Sequence, residues 1–170
     1  NFKYISGDYY VTDYKNEVFS TFNPIKFNDI DSSIFQLVDY RQVYKVIYTP
    51  GVIPLENNFE NIVLKGVENK NLDLLHTFIQ DIDLKSLGIN HIIISKTLSE
   101  KLNLKINDQI KFLFFKDKNR NIPIVRKLQV AGIYNSNISE FDSRVIFGNI
   151  NQSLSINKWN NGEAGALEIF

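Results

Sequence analysis

The stretch VAGIYNSNISEFDSRVIF, residues 130 to 147, puts Glu140, Asp142 and Arg144 in a polar loop between two strand-like runs. Two carboxylates two positions apart could hold a divalent cation together with the side-chain oxygens of Asn135 and Asn137, because calcium takes several hard oxygen ligands on a tight turn. The spacing lacks the central glycine and the distal bidentate glutamate of such a loop. Asp and Asn between strands bond neighbouring backbone amides more often than ions, so the expected role here is a well-made turn.

The remaining chemistry-bearing residues are scattered. His76 and His91 are the two histidines, fifteen positions apart, with no HExxH pattern and no cysteine beside them, so no metal site is expected. No serine lies in a Gly-x-Ser-x-Gly elbow and no glycine-rich phosphate loop is present, so neither nucleophilic catalysis nor Walker-type ATP binding is expected, and no cofactor. Asp81 and Asp83 alternate with Ile82 and Leu84, which suits the solvent side of a short extended segment. One basic group remains. Lys118 and Arg120 lie in the charged segment KDKNRNIP, 116 to 123, which closes with Pro123, and Arg126 and Lys127 follow it on the same hairpin. Such a tip is a solvated turn or a contact to a partner protein.

Bulk composition bounds the answer further. The 170 residues carry 19 basic and 19 acidic side chains, so no global field draws the chain to nucleic acid or an anionic membrane. A hydrophobic share of 44% against 22% charged is globular, sized for one domain or two small lobes. Cysteine is absent, which removes disulfides and thiolate sites and fits a periplasmic as well as a cytosolic protein. No window reaches the length of a membrane helix. Methionine is missing, at position 1 included, so the sequence is expected to be a piece of a longer gene product.

The elements that must position these residues alternate strand and short helix. A strand with a bend near Gly7 is expected over 2–11, a turn at Pro24, and a helix from Asp31 to about Tyr40. Strands over 43–53 and 61–67 should pair across the polar interval between them. Leu72, Leu75 and Phe78 or Ile79 suit a short helix. Ile92, Ile93 and Ile94 lead to Ser95 as the N-cap of a helix carrying Leu98 and Leu102 and ending near Asn103. Asn107-Asp108 makes a tight turn into a strand over 109–115, and a long-tipped hairpin returns along 124–132, with a stop at Gly132. RVIFGNI is a further strand, followed by a helix capped by Asn149 or Asn151. ALEIF, the last strand, is expected to need a neighbour from chain beyond Phe170.

The order of these pieces resembles a known family. IIISKTLSEKLNLKINDQIKF, VRKLQVAGIYNSNISEFDSRVIF and ENIVLKGVE are similar to segments of the periplasmic core domain of MacB/FtsX-type ABC transporter permeases, most closely the lipoprotein-releasing LolC/LolE branch. Asn107-Asp108 stands where that family has Gly-Asp, and KDKNRNIP is shorter and poorer in proline than the LolC carrier-recruiting hairpin.

The resemblance implies an α+β fold in two lobes. A discontinuous porter-like lobe would take residues 1–68 plus 163–170, and an inserted β-rich sabre-like lobe residues 69–162. It implies a non-catalytic domain in the periplasm, carried by a bacterial inner-membrane protein. Its partners would be a cytoplasmic ATPase, a second permease subunit, lipoprotein cargo and a periplasmic lipoprotein carrier. From their clustering on the hairpin, and not from the resemblance, the expected partner-binding residues are Lys118, Arg120, Pro123, Arg126 and Lys127. MacB-like efflux and FtsX-like regulation of a cell-wall hydrolase remain open, as does a secreted binding module or hydrolase of another class.

Overall fold

The computed structural model describes residues 7–30, 33, 42–75, 86–118 and 122–170. The helix expected over 31–40, the helix beyond Leu75, the opening residues 2–6, His76, Asp81, Asp83 and Arg120 lie outside the described residues.

Sheet dominates, in a mixed α+β arrangement with few helices. The ten strands among the described residues are β1 (Tyr9–Thr12), β2 (Ile25–Lys26), β3 (Val43–Pro54), β4 (Phe59–Val67), β5 (His91–Ser95), β6 (Gln109–Phe114), β7 (Ile124–Tyr134), β8 (Val145–Asn149), β9 (Glu163–Ala164) and β10 (Ala166–Ile169). Among the described residues four short α-helices accompany them: α1 (Leu72–Leu75), α2 (Lys96–Leu102), α3 (Ser139–Asp142) and α4 (Ile150–Asn157).

Eight strands form one sheet in the order β1-β10-β3-β4-β8-β5-β7-β6. The long strand β3 serves two neighbours in succession besides β4. Val43 to Val46 pair with β10, and Gly51 and Val52 pair with Leu113 and Phe114 of β6. That second pairing closes β3, β4, β8, β5, β7 and β6 into a circuit, from which β10 and β1 extend as a flap. Closure removes the exposed edges that an open sheet would present.

The alternation of apolar residues explains the two cores. Ile53, Leu64, Ile146, Ile92, Val130 and Phe112, one from each circuit strand, meet inside, with Leu98 of α2 and Ile156 of α4 joining them. On the opposite face Val46, Tyr48, Val63, Val67, Phe147, Ile93 and Tyr134 pack beneath Phe141. Residues two apart in a strand share a face, so each cluster draws on one parity of each strand, save in β7, where the register shift at Ala131 exchanges the faces and puts Tyr134 on the Phe141 side. Helix α4 crosses close to β4 at Gly66, where a β-carbon would stand 2.4 Å from the Ser153 hydroxyl oxygen.

Three local expectations change. ALEIF does not lack a partner: β10 lies between β1 and β3 and pairs with both, because the first strand of the chain returns to cover it. The hairpin strand continues past Gly132 to Tyr134, since a register shift opposite Ile92/Ile93 absorbs Ala131 and lets the parallel ladder with β5 go on. The loop after it contains one helical turn, α3. The pairing of β3 with β4, the Ser95 cap, the helix end at Asn103 and the Asn107 turn are as expected, and Asn103 closes its helix in a left-handed backbone. Strands of both expected segments, β1, β3, β4 and β10 on one side and β5 to β8 on the other, share the single sheet.

Candidate functional site

The loop that opened the sequence reading is built for structure. The Ser136 backbone amide donates to Asp142 Oδ1 at 3.2 Å, its hydroxyl donates to the same oxygen, and Asp142 is buried. Asn137 takes a left-handed backbone and its amide donates to Asn135 Oδ1 at 3.1 Å. Glu140 pairs with Arg144 at 3.2 Å on the surface. The acids thus point at separate partners, and among the described residues no cluster of three or more metal-ligating side chains occurs. Below the loop, the Tyr134 hydroxyl donates to the Val145 carbonyl at 2.7 Å. Burial, and after it the charge of Asp142, pushes that phenol well above its usual pKa.

The hairpin β6–β7 separates the basic residues. Lys118 pairs with Glu17 at 3.0 Å, tying the start of the tip to the amino-terminal segment. Arg126 shares the inner face with its partner Phe112 and turns to α4, donating to Gln152 Oε1 at 3.2 Å and to Ser155 Oγ at 3.3 Å. Lys127 lies opposite Lys111 on the outer face. Pro123 is exposed there, beside Ile122 and Val125, which are 79% and 52% exposed. Lys127, Pro123 and these two apolar residues are therefore accessible together, whereas Arg126 is engaged elsewhere.

Beneath the hairpin base lies a cleft of about 620 Å³ between the 17–22 segment, β3 and β4, with Val18, Phe22, Val52 and Phe115 on its walls. Its cations, Lys118 and Arg144, each already face a carboxylate, Glu17 and Glu140. Arg144 also stacks over Phe19, its guanidinium carbon 5.8 Å from the ring centre.

Sequence reasoning missed a buried polar constellation on β3, β4 and β10. Lys65 of β4 and Glu168 of β10 form an ion pair of 2.8 Å with 2% exposure on each side. The Tyr48 hydroxyl donates to the other carboxylate oxygen at 2.6 Å. The ammonium stands 5.4 Å from the Tyr48 ring centre and 5.9 Å from that of Phe147. Burial lowers the Lys65 pKa, against the Glu168 carboxylate, which pulls the other way. Burial, with Glu168 adding to it, raises the Tyr48 phenol well above its usual value. The available signal was a lone charge in each of two apolar runs, NIVLKGV and ALEIF. Opposite lone charges on two core strands of one sheet can bury only as a pair.

No family model matches the chain, and no curated protein matches it. Solved structures do. The extracellular domain of the noncanonic ABC-type transporter YknZ from Gram-positive bacteria superposes with a TM-score of 0.56 at 13% identity, over 95% of this chain and 80% of that one. The periplasmic region of MacB from Actinobacillus actinomycetemcomitans gives 0.53 at 12% identity, over 85% of this chain and 64% of that one. The chain thus spans just under two thirds of the MacB region it matches. At such identities the likeness is one of fold, and the fold is that of periplasmic and extracellular domains of ABC-type permeases.

Proposed function

We propose that the chain is the extracytoplasmic domain of an ABC transporter permease of the MacB/YknZ kind, a mechanical part with no turnover of its own. The observation that carries this reading is the agreement of fold with the YknZ domain over 95% of the chain. The strand order supports it. β1 and β10 are antiparallel neighbours, and the Asp8 amide donates to the Ile169 carbonyl at 2.7 Å, so the backbone leaves at Gly7 and at Phe170 side by side. That arrangement fits a domain inserted between two membrane helices. ATP hydrolysis then belongs to a cytoplasmic ATPase subunit or domain of the full transporter, and a second permease subunit completes it.

Within that reading, residues 1–68 with 163–170 form the porter-like lobe and 69–162 the sabre-like lobe. The cargo is an outer-membrane lipoprotein, as the ISEFDS block and its surroundings suggest by their likeness to the LolC/LolE branch. The docking residues for a periplasmic carrier are Lys118, Arg120, Pro123, Arg126 and Lys127. Lys127 and Pro123 on the accessible side of the hairpin carry most of the contact. The soluble chain used as bait in periplasmic extract tests this. Capture of a lipoprotein carrier by the wild type, lost in Lys118→Glu/Lys127→Glu, is the expected result. Capture of a different periplasmic protein would move the chain to an efflux role, which the likeness to MacB also favours.

A further inference from the structure

The Lys65–Glu168 pair has a place in the fold that its net energy does not explain. Strand β3 lies between its two members: Tyr44 is opposite Glu168 on one side, and Tyr48 is opposite Lys65 on the other. The pair therefore spans the width of β3 and joins β10 to β4, which are not neighbours in the sheet. Replacing a buried ion pair by apolar side chains is often neutral or stabilising, whereas separating its members leaves uncompensated charges. Its specific effect is thus on geometry. β10 holds β3 and β1 through ladders of four residues each, a short run to fix a register. A two-residue slip would keep every side chain on its own face, so parity alone does not forbid it. A slip that moves Glu168 from Tyr44 toward Gln42 would carry it about 7 Å farther from Tyr48 along the strand, out of reach of Lys65 and of the Tyr48 hydroxyl.

We propose that the Lys65–Glu168 pair, with Tyr48, is a register lock that fixes β10 on the closed strand circuit, so that a pull on the two ends of the chain reaches the circuit as a unit and does not peel the β1–β10 flap. The proposal rests on the permease reading for the origin of that pull. The lock itself does not depend on it.

Native-state hydrogen exchange on the whole chain tests the lock. In the wild type the β10 amides exchange within about threefold of the β5 amides, since both open only with the whole molecule. In Lys65→Met/Glu168→Leu the thermal midpoint is retained within a few degrees, yet the β10 amides exchange at least about tenfold faster than those of β5, because the slip now strands no charge. Tyr48→Phe, which deletes a single hydroxyl, accelerates β10 by about three- to tenfold and leaves β5 unchanged. Wild-type β10 amides exchanging more than about tenfold faster than β5 would overturn the proposal. A folded double variant in which the two strands stay in step would do the same. Should the double variant not fold, Tyr48→Phe decides alone: no acceleration confined to β10 overturns the lock. Failure of the transporter assignment would leave these exchange rates untouched, so the two claims fail separately.

Discussion

At the scale of single residues, the molecule places its most consequential charges where no solvent reaches them. Glu168→Gln removes the partner of Lys65 while the ammonium stays buried, and stability should fall by about 3–5 kcal/mol. A shift of the urea midpoint at unchanged slope measures it. Tyrosines act in the same core. The Tyr48 and Tyr134 phenols are raised in the folded chain, so they remain protonated where an unfolded chain begins to lose protons near pH 10. The unfolded state then binds fewer protons than the native state. Their contribution is fully present below about pH 10 and is lost as pH rises beyond it. Lys65, lowered by burial, acts in the opposite direction, but it is one group against four, because Tyr10 and Tyr44 are raised as well. Stability should therefore decline above about pH 10, and less steeply in Tyr134→Phe than in the wild type. Urea unfolding across that range, followed by the ultraviolet signal of ionised tyrosine, reads both. A wild-type curve flat to pH 12 would contradict the assignment. The chain announces these residues only as lone charges in apolar strands, because a pairing 103 positions apart is invisible to local pattern.

At the scale of elements, local chemistry was legible and long-range pairing was not. Ser95 at the head of α2, Asn103 at its end and Asn107 in the following turn follow from what capping and left-handed backbone require of a side chain. Ser95 has a second duty that spacing does not reveal. Its oxygen accepts from the Leu98 amide at 3.0 Å while its hydroxyl donates to the Asp142 carbonyl, joining α2 to α3. Ser95→Ala should then cost about 2 kcal/mol or more, the sum of a lost cap and a buried carbonyl left unpaired. Thermal unfolding would show it, and a loss below half that figure would mean the link between helices carries nothing. Gly66 is a site of close approach, not of special backbone. A methyl there meets the Ser153 hydroxyl oxygen at 2.4 Å and its β-carbon at 2.8 Å, so Gly66→Ala should cost about 1–3 kcal/mol by pushing α4 off the sheet. What the pattern could not show is that β3 divides one edge between β10 and β6. Alternation marks which face of a strand is buried and says nothing about which strand lies beside it.

At the scale of the whole molecule, the closed circuit with its flap explains why Asp8–Thr12 and Ala166–Ile169 lie together at one edge while the hairpin and its exposed apolar residues project elsewhere. That separation suits a part that receives motion at one place and presents a surface at another. The basic residues of the hairpin were legible as a group, but their division between α4, Glu17 and the outer face was not. It depends on strand parity at Arg126 and Lys127 and on a segment a hundred positions away. The most direct test of the central claim is the side of the membrane on which this domain stands in the parent protein. The chain contains no cysteine, so Ile122→Cys on the exposed hairpin introduces a unique thiol in it. In cells stripped of their outer layers, a membrane-impermeant maleimide should label that thiol without lysis. Labelling only after the membrane is broken would place the domain in the cytoplasm and contradict the account.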